Sequence, residues 1–306
     1  MAKNSSNPNP KIICIVGPTA SGKSALAVWL AKRIQKGACG AEIISADSRQ
    51  VYKGLDIGTG KVTKKETQGM PHHLLSVANP KKQFSVDDFV KQAERACFSI
   101  LQKARIVIVV GGTGLYVDMF TGRMSYPNVA PNATLRAQLE RLTTKQLFAR
   151  LKKLDSRRAA TIEKENPRRL VRAIEIAKAL GKSPTPNPSP KYDVLWLGLN
   201  PTPAKLRANI HKRLLARISQ GMVAEARRLH KQGLTYKRMD ELGLEYRYLA
   251  QLLQGRLTQK EFIEQLEREI NNYAKRQWRW FKRNKDIHWV GSKQEALSLA
   301  KAFLSR

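Results

Sequence analysis

Along this chain apolar residues come first in tight runs that stop at glycine or at a small polar residue. Residues 12–16 and 106–110 are such runs, and 42–45, around Ile43-Ile44, is a further strand candidate. They are too short for helices and rich in β-branched side chains, so they read as strands buried on both faces. Residues 73–77, 194–199 and 287–290 are further strand candidates. Between them the apolar period becomes helical, over 25–36 and over 86–103, the latter with Ser85 as N-cap and Asp87 and Asp88 in its first turn. Strands alternating with helices predict a parallel sheet with helices on both faces. Residues 53–71, rich in Gly, Lys and Thr, read as a mobile surface loop.

The pattern then changes. Residues 123–182 show no strand and a helical period, clearest over 168–179, and the proline-rich 183–191 (SPTPNPSPK) reads as a linker. Helices are expected again from 203 to 283. The resulting organisation is an α/β core (1–122 and 192–306) interrupted by an all-helical basic insertion that takes in the linker (123–191). There is no internal repeat.

Composition narrows the function classes. With 306 residues, 42% of them hydrophobic, the chain can bury a sizeable core, which excludes wholesale disorder. Cys14, Cys39 and Cys97 have no CxxC spacing, against a disulfide scaffold or a cysteine-rich zinc site. The longest apolar run falls far short of a bilayer span, and residues 1–10 form a polar leader without an apolar signal region. No membrane association and a cytoplasmic location are expected. The formal charge is +32, from 56 basic and 24 acidic residues. It is densest in 123–182, with 15 basic against 5 acidic side chains. Charge built into folded segments points to a polyanionic partner, with a merely solubilising surface as the bland alternative.

The chemistry begins at Gly17-Pro18-Thr19-Ala20-Ser21-Gly22-Lys23-Ser24, which fits GxxxxGK[ST] and sits between an apolar strand and a helix. Backbone N–H groups and the helix N-terminus of such a loop surround phosphate oxygens. Lys23 supplies a cation, and Ser24 is a candidate ligand for Mg²⁺. Motor and switch NTPases usually add an apolar strand ending in Asp. Here 106–110 runs into Gly111-Gly112-Thr113 instead, and the acid, Asp47, ends an earlier strand. Parallel strands open into one crevice, so Asp47 is a base, a metal-site acid or a turn cap. His72-His73 lacks a second ligand pair and reads as packing or capping. In 273–283 (YAKRQWRWFKR) aromatics alternate with cations, a pattern open to base stacking or to core packing at i, i+3.

Taken in order, GPTASGKS (17–24), SADSRQVYKGLDIGTGK (45–61), PHHLLSV (71–77), FSVDDF (84–89), VVGGTGLYV (109–117), RRLVRAIE (168–175) and NYAKRQWRWF (272–281) resemble the tRNA dimethylallyltransferases. These enzymes move a dimethylallyl group from its diphosphate to N6 of the adenosine beside the anticodon. The resemblance spans about 13–281. It implies a P-loop NTPase-like parallel sheet flanked by helices and a loop that binds isoprenyl diphosphate rather than ATP. It implies Asp47 as general base for the adenine amine, with Thr19 and Arg227 assisting the departing diphosphate. Ser48, Arg49 and Gln50 then hold the target adenosine, and Thr113, Arg136 and Arg168-Arg169-Leu170-Val171-Arg172 align with tRNA-contacting positions. The implied partners are dimethylallyl diphosphate and the anticodon stem-loop of tRNA, bound by a monomer. Prenylation of free adenine nucleotide, a small-molecule kinase and a non-catalytic RNA-binding module are the competing readings. A free nucleotide has no use for a long basic insertion, and a mere binding module has none for Lys23, Ser24 and Asp47.

Overall fold

The computed structural model describes residues 9–34, 40–125, 127, 129–185 and 188–306. Most of the expected leader, Lys36 of the first expected helix, Cys39 and residues 186–187 of the expected linker lie outside them. The chain divides into two compact units, Met1–Gly122 with Pro190–Arg306, and Arg123–Ser189.

The larger unit is built on β1 (Lys11–Val16), α1 (Lys23–Arg33), β2 (Ala41–Ser45), α2 (Lys64–Thr67), β3 (His72–His73), α3 (Val86–Gln102), β4 (Ile106–Gly111) and α4 (Gly114–Thr121). The smaller unit holds α5 (Ala133–Leu139), α6 (Thr144–Leu154), α7 (Ser156–Thr161) and α8 (Pro167–Leu180). The larger unit resumes with β5 (Asp193–Gly198), α9 (Pro203–Ser219), α10 (Met222–Lys231), α11 (Tyr236–Leu242), α12 (Leu244–Leu253), α13 (Gln259–Phe281), β6 (Ile287–Trp289) and α14 (Lys293–Ser305). All strand pairs are parallel, in the order β3-β2-β4-β1-β5-β6.

The unbroken apolar runs have a direct cause. Ile13, Ile15, Ile43, Ile108, Val110, Leu195 and Leu197 pack with α1 and α14 on one face of the sheet. Their neighbours Ile12, Cys14, Val16, Ile44, Val107, Val109 and Trp196 pack with α3, α4 and Phe281 on the other. Period-two alternation between two buried faces leaves few polar positions, Glu42 and Ser45 of β2 being buried exceptions, which is why these strands read as nearly continuous. α3 starts at Ser85, whose hydroxyl accepts from Asp88 N while the Asp88 carboxylate accepts from Ser85 N, a capping box worth about 1 kcal/mol.

Several expectations are corrected. The strand expected over 73–77 is only two residues long, because Leu74 and Ser76 turn to positive φ (63° and 55°). The stretch 53–71 is no loose surface loop. Leu55 is buried in the core formed by α9–α13, and the N–H groups of Asp56, Ile57 and Gly58 all donate to the buried Glu225 carboxylate at 2.8–3.0 Å. The Tyr246 hydroxyl donates to the same carboxylate at 2.7 Å, so removing that carboxylate would strand four donors at about 1–3 kcal/mol each. Ser183, the first linker residue, is buried and donates its N–H to Asp155 Oδ2 (2.7 Å), while Lys191 N–H bonds Thr121 O in the larger unit. The final helix α14 had no counterpart in the expected pattern. Cys14 and Cys97 are buried and free. Among the described residues no helix is long and apolar enough to cross a membrane.

Candidate active site

β1 sends its connection across β4 to reach β2, and β4 sends its own across β1 to reach β5. The two connections part in opposite directions, so a crevice opens beyond the carboxyl ends of β1 and β4, where open α/β sheets bind ligands. A cleft of about 480 Å³ lies there. The phosphate loop forms one wall. Gly22 caps α1 at φ 95°, a left-handed conformation that favours glycine, and the first-turn N–H groups of α1 have no helical acceptor. Ala20 also has positive φ (59°), and Asn209 Nδ2 of α9 holds its carbonyl at 3.1 Å. Ser21 Oγ is buried without a partner, a polar atom waiting for a ligand.

Gln277 of α13 ties the two rims together. Its Oε1 accepts from Thr19 N at 2.7 Å and its Nε2 donates to Gly112 O at 2.8 Å. A Cβ at residue 112 would stand 2.3 Å from that Nε2, so any larger residue there would displace the Gln277 amide from this tie. Tyr273, one turn earlier on α13, also lines the cleft; burial pushes its phenol up to about 12, so it stays protonated.

Lys23 Nζ donates to Pro18 O at 2.5 Å. Burial pulls its ammonium down to about 7, Arg213 adds to the effect and Asp47 opposes it. Arg213, on α9, is itself lowered by burial and by Arg217, and donates to Gly60 O at 2.8 Å. One turn on, Arg217 donates to Gly58 O (2.9 Å) and to Glu245 (3.0 Å). The two arginines and Glu225 therefore fix residues 56–60 along the edge of the cleft. Asp47 lines the cleft opposite Lys23. Its Oδ1 accepts from Arg49 N (2.8 Å) and Gln50 N (3.2 Å). It is a turn cap and a cleft-facing carboxylate at once, because one oxygen suffices for the cap.

Thr19, Ala20, Gly22, Lys23, Ser24, Asp47 and Gln50 all line this one cleft. Ser48 N donates to Thr113 Oγ1 at 3.0 Å beside it. Arg227 does not join them. On α10 the buried side carries Met222, Glu225, Ala226 and Leu229, and Arg227 is turned to solvent. The arginine in the cleft is Arg213. Together with Asn209, Lys212 and Ala216 it forms an i, i+3, i+4, i+7 face of α9. That spacing of polar residues was the available signal, and the same holds for Tyr273 and Gln277 at i, i+4.

The histidines read as capping, in part. His73 Nε2 meets Glu42 Oε2 at 2.6 Å and His72 Nδ1 meets Met70 O at 2.8 Å. No group of three or more His, Cys, Asp or Glu suited to a metal occurs among the described residues. Phe281 is core, and Trp278 packs edge-on against Trp289.

In the smaller unit the expected RNA-contacting residues separate. Arg168 and Arg169 are exposed, whereas Leu170 is fully buried in the unit's core and Val171 packs against it. The Leu170 side chain is thus part of the unit's core. Arg136 grips the buried Glu175 through Nε (2.7 Å) and Nη2 (2.8 Å), and Arg172 adds a bond to Glu175 (3.2 Å) and one to Val129 O (2.8 Å). Burial works to raise the Glu175 carboxyl, but these partners hold it below its usual range. Arg172→Glu is expected to destabilise the unit by about 2 kcal/mol, several degrees in Tm, since it sets a second carboxylate against Glu175. Arg169→Glu, whose only ion pair among the described residues is the exposed one to Glu163, should cost less than about 0.5 kcal/mol. Thermal unfolding of both variants checks this; equal losses would contradict the assignment.

Comparison with known proteins shows the family. The IPP transferase family model matches residues 50–284. The tRNA dimethylallyltransferase 1 of Geotalea uraniireducens is 39% identical over 297 residues, 96% of each chain. The full-length tRNA isopentenylpyrophosphate transferase of Bacillus halodurans superposes with a TM-score of 0.72 at 33% identity, over 96% of this chain and 97% of that one. A eukaryotic dimethylallyltransferase, solved acting on tRNA, superposes with a TM-score of 0.83 at 25% identity, over 97% of this chain and 80% of that one. The chain belongs to the IPP transferase family, the tRNA dimethylallyltransferases.

Proposed function

We propose that this protein transfers the dimethylallyl group of dimethylallyl diphosphate to N6 of the adenosine beside the anticodon of tRNA. The observation that carries the reading is the meeting of the phosphate loop, the Lys23 and Arg213 cations and the Asp47 carboxylate in a single cleft. The loop from Gly17 to Ser24, with Lys23 and Arg213, holds the diphosphate. The target base leaves the loop stack to reach the cleft, between Asp47, Gln50 and Tyr273. As the new C–N bond forms at the allylic carbon, the bond from that carbon to the bridging oxygen breaks. The N6 proton passes to the Asp47 carboxylate, which counters the weak nucleophilicity of an amine conjugated with the ring. Loop amides, Lys23 and Arg213 take up the charge that grows on the departing oxygen, with the Thr19 hydroxyl beside them.

The residues fit Mg²⁺. Ser24 and Asp47 line the same cleft and Ser21 Oγ is unpartnered, and a hard cation that takes most of its oxygens from diphosphate and water needs no protein cage. When bound, it would supply charge neutralisation at the leaving group. The exposed Arg168 and Arg169 of the basic insertion hold the stem of the tRNA. The work is cytoplasmic, where tRNA is, and one chain serves one tRNA.

The test is incubation of the protein with unmodified tRNA, dimethylallyl diphosphate and Mg²⁺, followed by mass spectrometry of the nucleosides. A dimethylallyl mass gain on adenosine is expected. Its absence, with ATP hydrolysed or a small molecule phosphorylated instead, would overturn the reading.

Lys23 adds a pH signature. At pH 8 the ligand-free side chain, near 7, is mostly neutral. A diphosphate restores its charge, so binding takes up a proton. Below pH 7 this group leaves affinity flat; above it affinity weakens, by at most about tenfold per pH unit. Phosphate ionises near pH 6, so its own titration has the opposite sign. Calorimetry at pH 8 in two buffers of different ionisation heat should show uptake of about one proton, and Lys23→Met should abolish it.

A further inference from the structure

Gln277 stands one turn beyond Tyr273 on α13 and is only 6% exposed. Burying a flexible amide costs side-chain entropy that a leucine would largely avoid. What the amide offers is two ends of opposite character. Thr19 N–H can only donate and Gly112 O can only accept, so these neighbours fix which end faces which.

Both partners lead into the chemistry. Thr19 belongs to the phosphate loop. Its N–H is taken up by Gln277, so this bond fixes where the loop stands instead of adding a phosphate contact. The next loop residue is held by a second helix, through Asn209 Nδ2 of α9 on the Ala20 carbonyl. On the other side, Gly112 is followed by Thr113. Thr113 donates its N–H to Ala46 O at 3.3 Å, and its Oγ1 accepts from Ser48 N at 3.0 Å. The residues before and after Asp47 are therefore both held by Thr113. The two strand ends also touch directly, since a Cβ at Gly111 would stand 2.1 Å from Ala46 O. One buried side chain thus joins the loop to the turn that carries the carboxylate.

We propose that Gln277 is a positioning residue for the transfer: its amide locks the phosphate loop to the strand ends that hold Asp47, and so sets the spacing between the departing diphosphate and the proton acceptor. The proposal rests on the prenyl-transfer reading above, in which both groups must address one allylic carbon and one amine. Reacting geometry is sensitive on this scale, a displacement of about 1 Å costing on the order of 100-fold in rate. Without the tie the loop still has Lys23 and the first-turn N–H groups of α1. Loss of the tie should therefore slow the reaction more than it weakens diphosphate binding.

The test uses three variants. Gln277→Met fills the space without a donor. Gln277→Glu depends on protonation. As the acid it keeps both ends, with O–H toward Gly112 O and C=O toward Thr19 N; as the carboxylate it has nothing to donate. Burial beside a carbonyl oxygen raises such a carboxyl, so the tie survives at low pH and is lost as pH rises. Gly112→Ala displaces the amide without altering α13. Single-turnover transfer at saturating tRNA and dimethylallyl diphosphate is compared with the parent protein at each pH. Calorimetric Kd for dimethylallyl diphosphate and Tm are measured alongside. Gln277→Met and Gly112→Ala should lower the rate about 10–100-fold, with that Kd within about threefold of the parent protein. At about pH 6 Gln277→Glu should be faster than Gln277→Met, and it should fall toward it as pH rises. A parent-like rate in Gln277→Met, a loss confined to Kd or Tm, or a Glu variant no faster than the Met variant at about pH 6 would overturn the proposal. A parent protein that transfers no prenyl group fails the functional reading and the proposal with it; a parent that transfers beside unaffected variants fails the proposal alone.

Discussion

Asp47→Asn lowers kcat for prenyl transfer by about 10²–10⁴, with tRNA affinity within about threefold of the parent protein; this is the expected result for a general base. The geometry makes asparagine the informative change. Asp47 Oδ1 caps the N–H groups of Arg49 and Gln50, and an asparagine oxygen can keep that cap. Oδ2 has no hydrogen-bond partner among the described residues, and it is this second oxygen that an amide cannot supply as a proton acceptor. Asp47→Ala removes both and should cost about 1 kcal/mol of local stability besides. Single-turnover rates at saturating tRNA, together with tRNA Kd, separate the cases. A fall in tRNA binding that matches the fall in rate would make Asp47 a recognition residue.

The second large effect concerns which arginine assists the leaving group. Arg213→Gln is expected to lower kcat by about 10²–10³, the usual cost of removing one preorganised charge from a developing oxyanion. Arg227→Gln should stay within about twofold. Arg213 lines the cleft and is anchored at Gly60 O, whereas Arg227 stands in solvent on α10. Buried charge acts through a lower effective dielectric and is not screened by salt, so position outweighs the number of arginines nearby. If Arg227→Gln were the variant that lost turnover, the assignment of this cleft would be reversed.

Which parts of the site were legible follows from how local each is. The loop from Gly17 to Ser24 is contiguous, and its function lies in its own backbone, so its order in the chain suffices. Asp47 was legible because it ends a strand that had to open into the same crevice. Ser85 with Asp88 was legible because a capping box closes within three residues. Arg213, Asn209, Tyr273 and Gln277 were not. They reach the cleft from helices far along the chain, Gln277 contacting the phosphate loop from 258 residues away. Only the packing of α9 and α13 against the sheet sets which of their faces meets it. The stretch 53–71 misled for a related reason. Its glycines and lysines suggest exposure, but its N–H groups are satisfied by Glu225, 167 to 169 residues on.

By itself the sequence determined the alternation of strands and helices, the interruption by a basic helical unit, the phosphate loop and the acid beside it, since each is set by local period, capping or contiguous motif. Tertiary structure decided which arginine enters the cleft, that Leu170 is core, that Arg136 and Arg172 are committed to Glu175, and that one face of α13 borders the site. Those outcomes depend on which groups are desolvated together, and desolvation is settled only when distant elements pack.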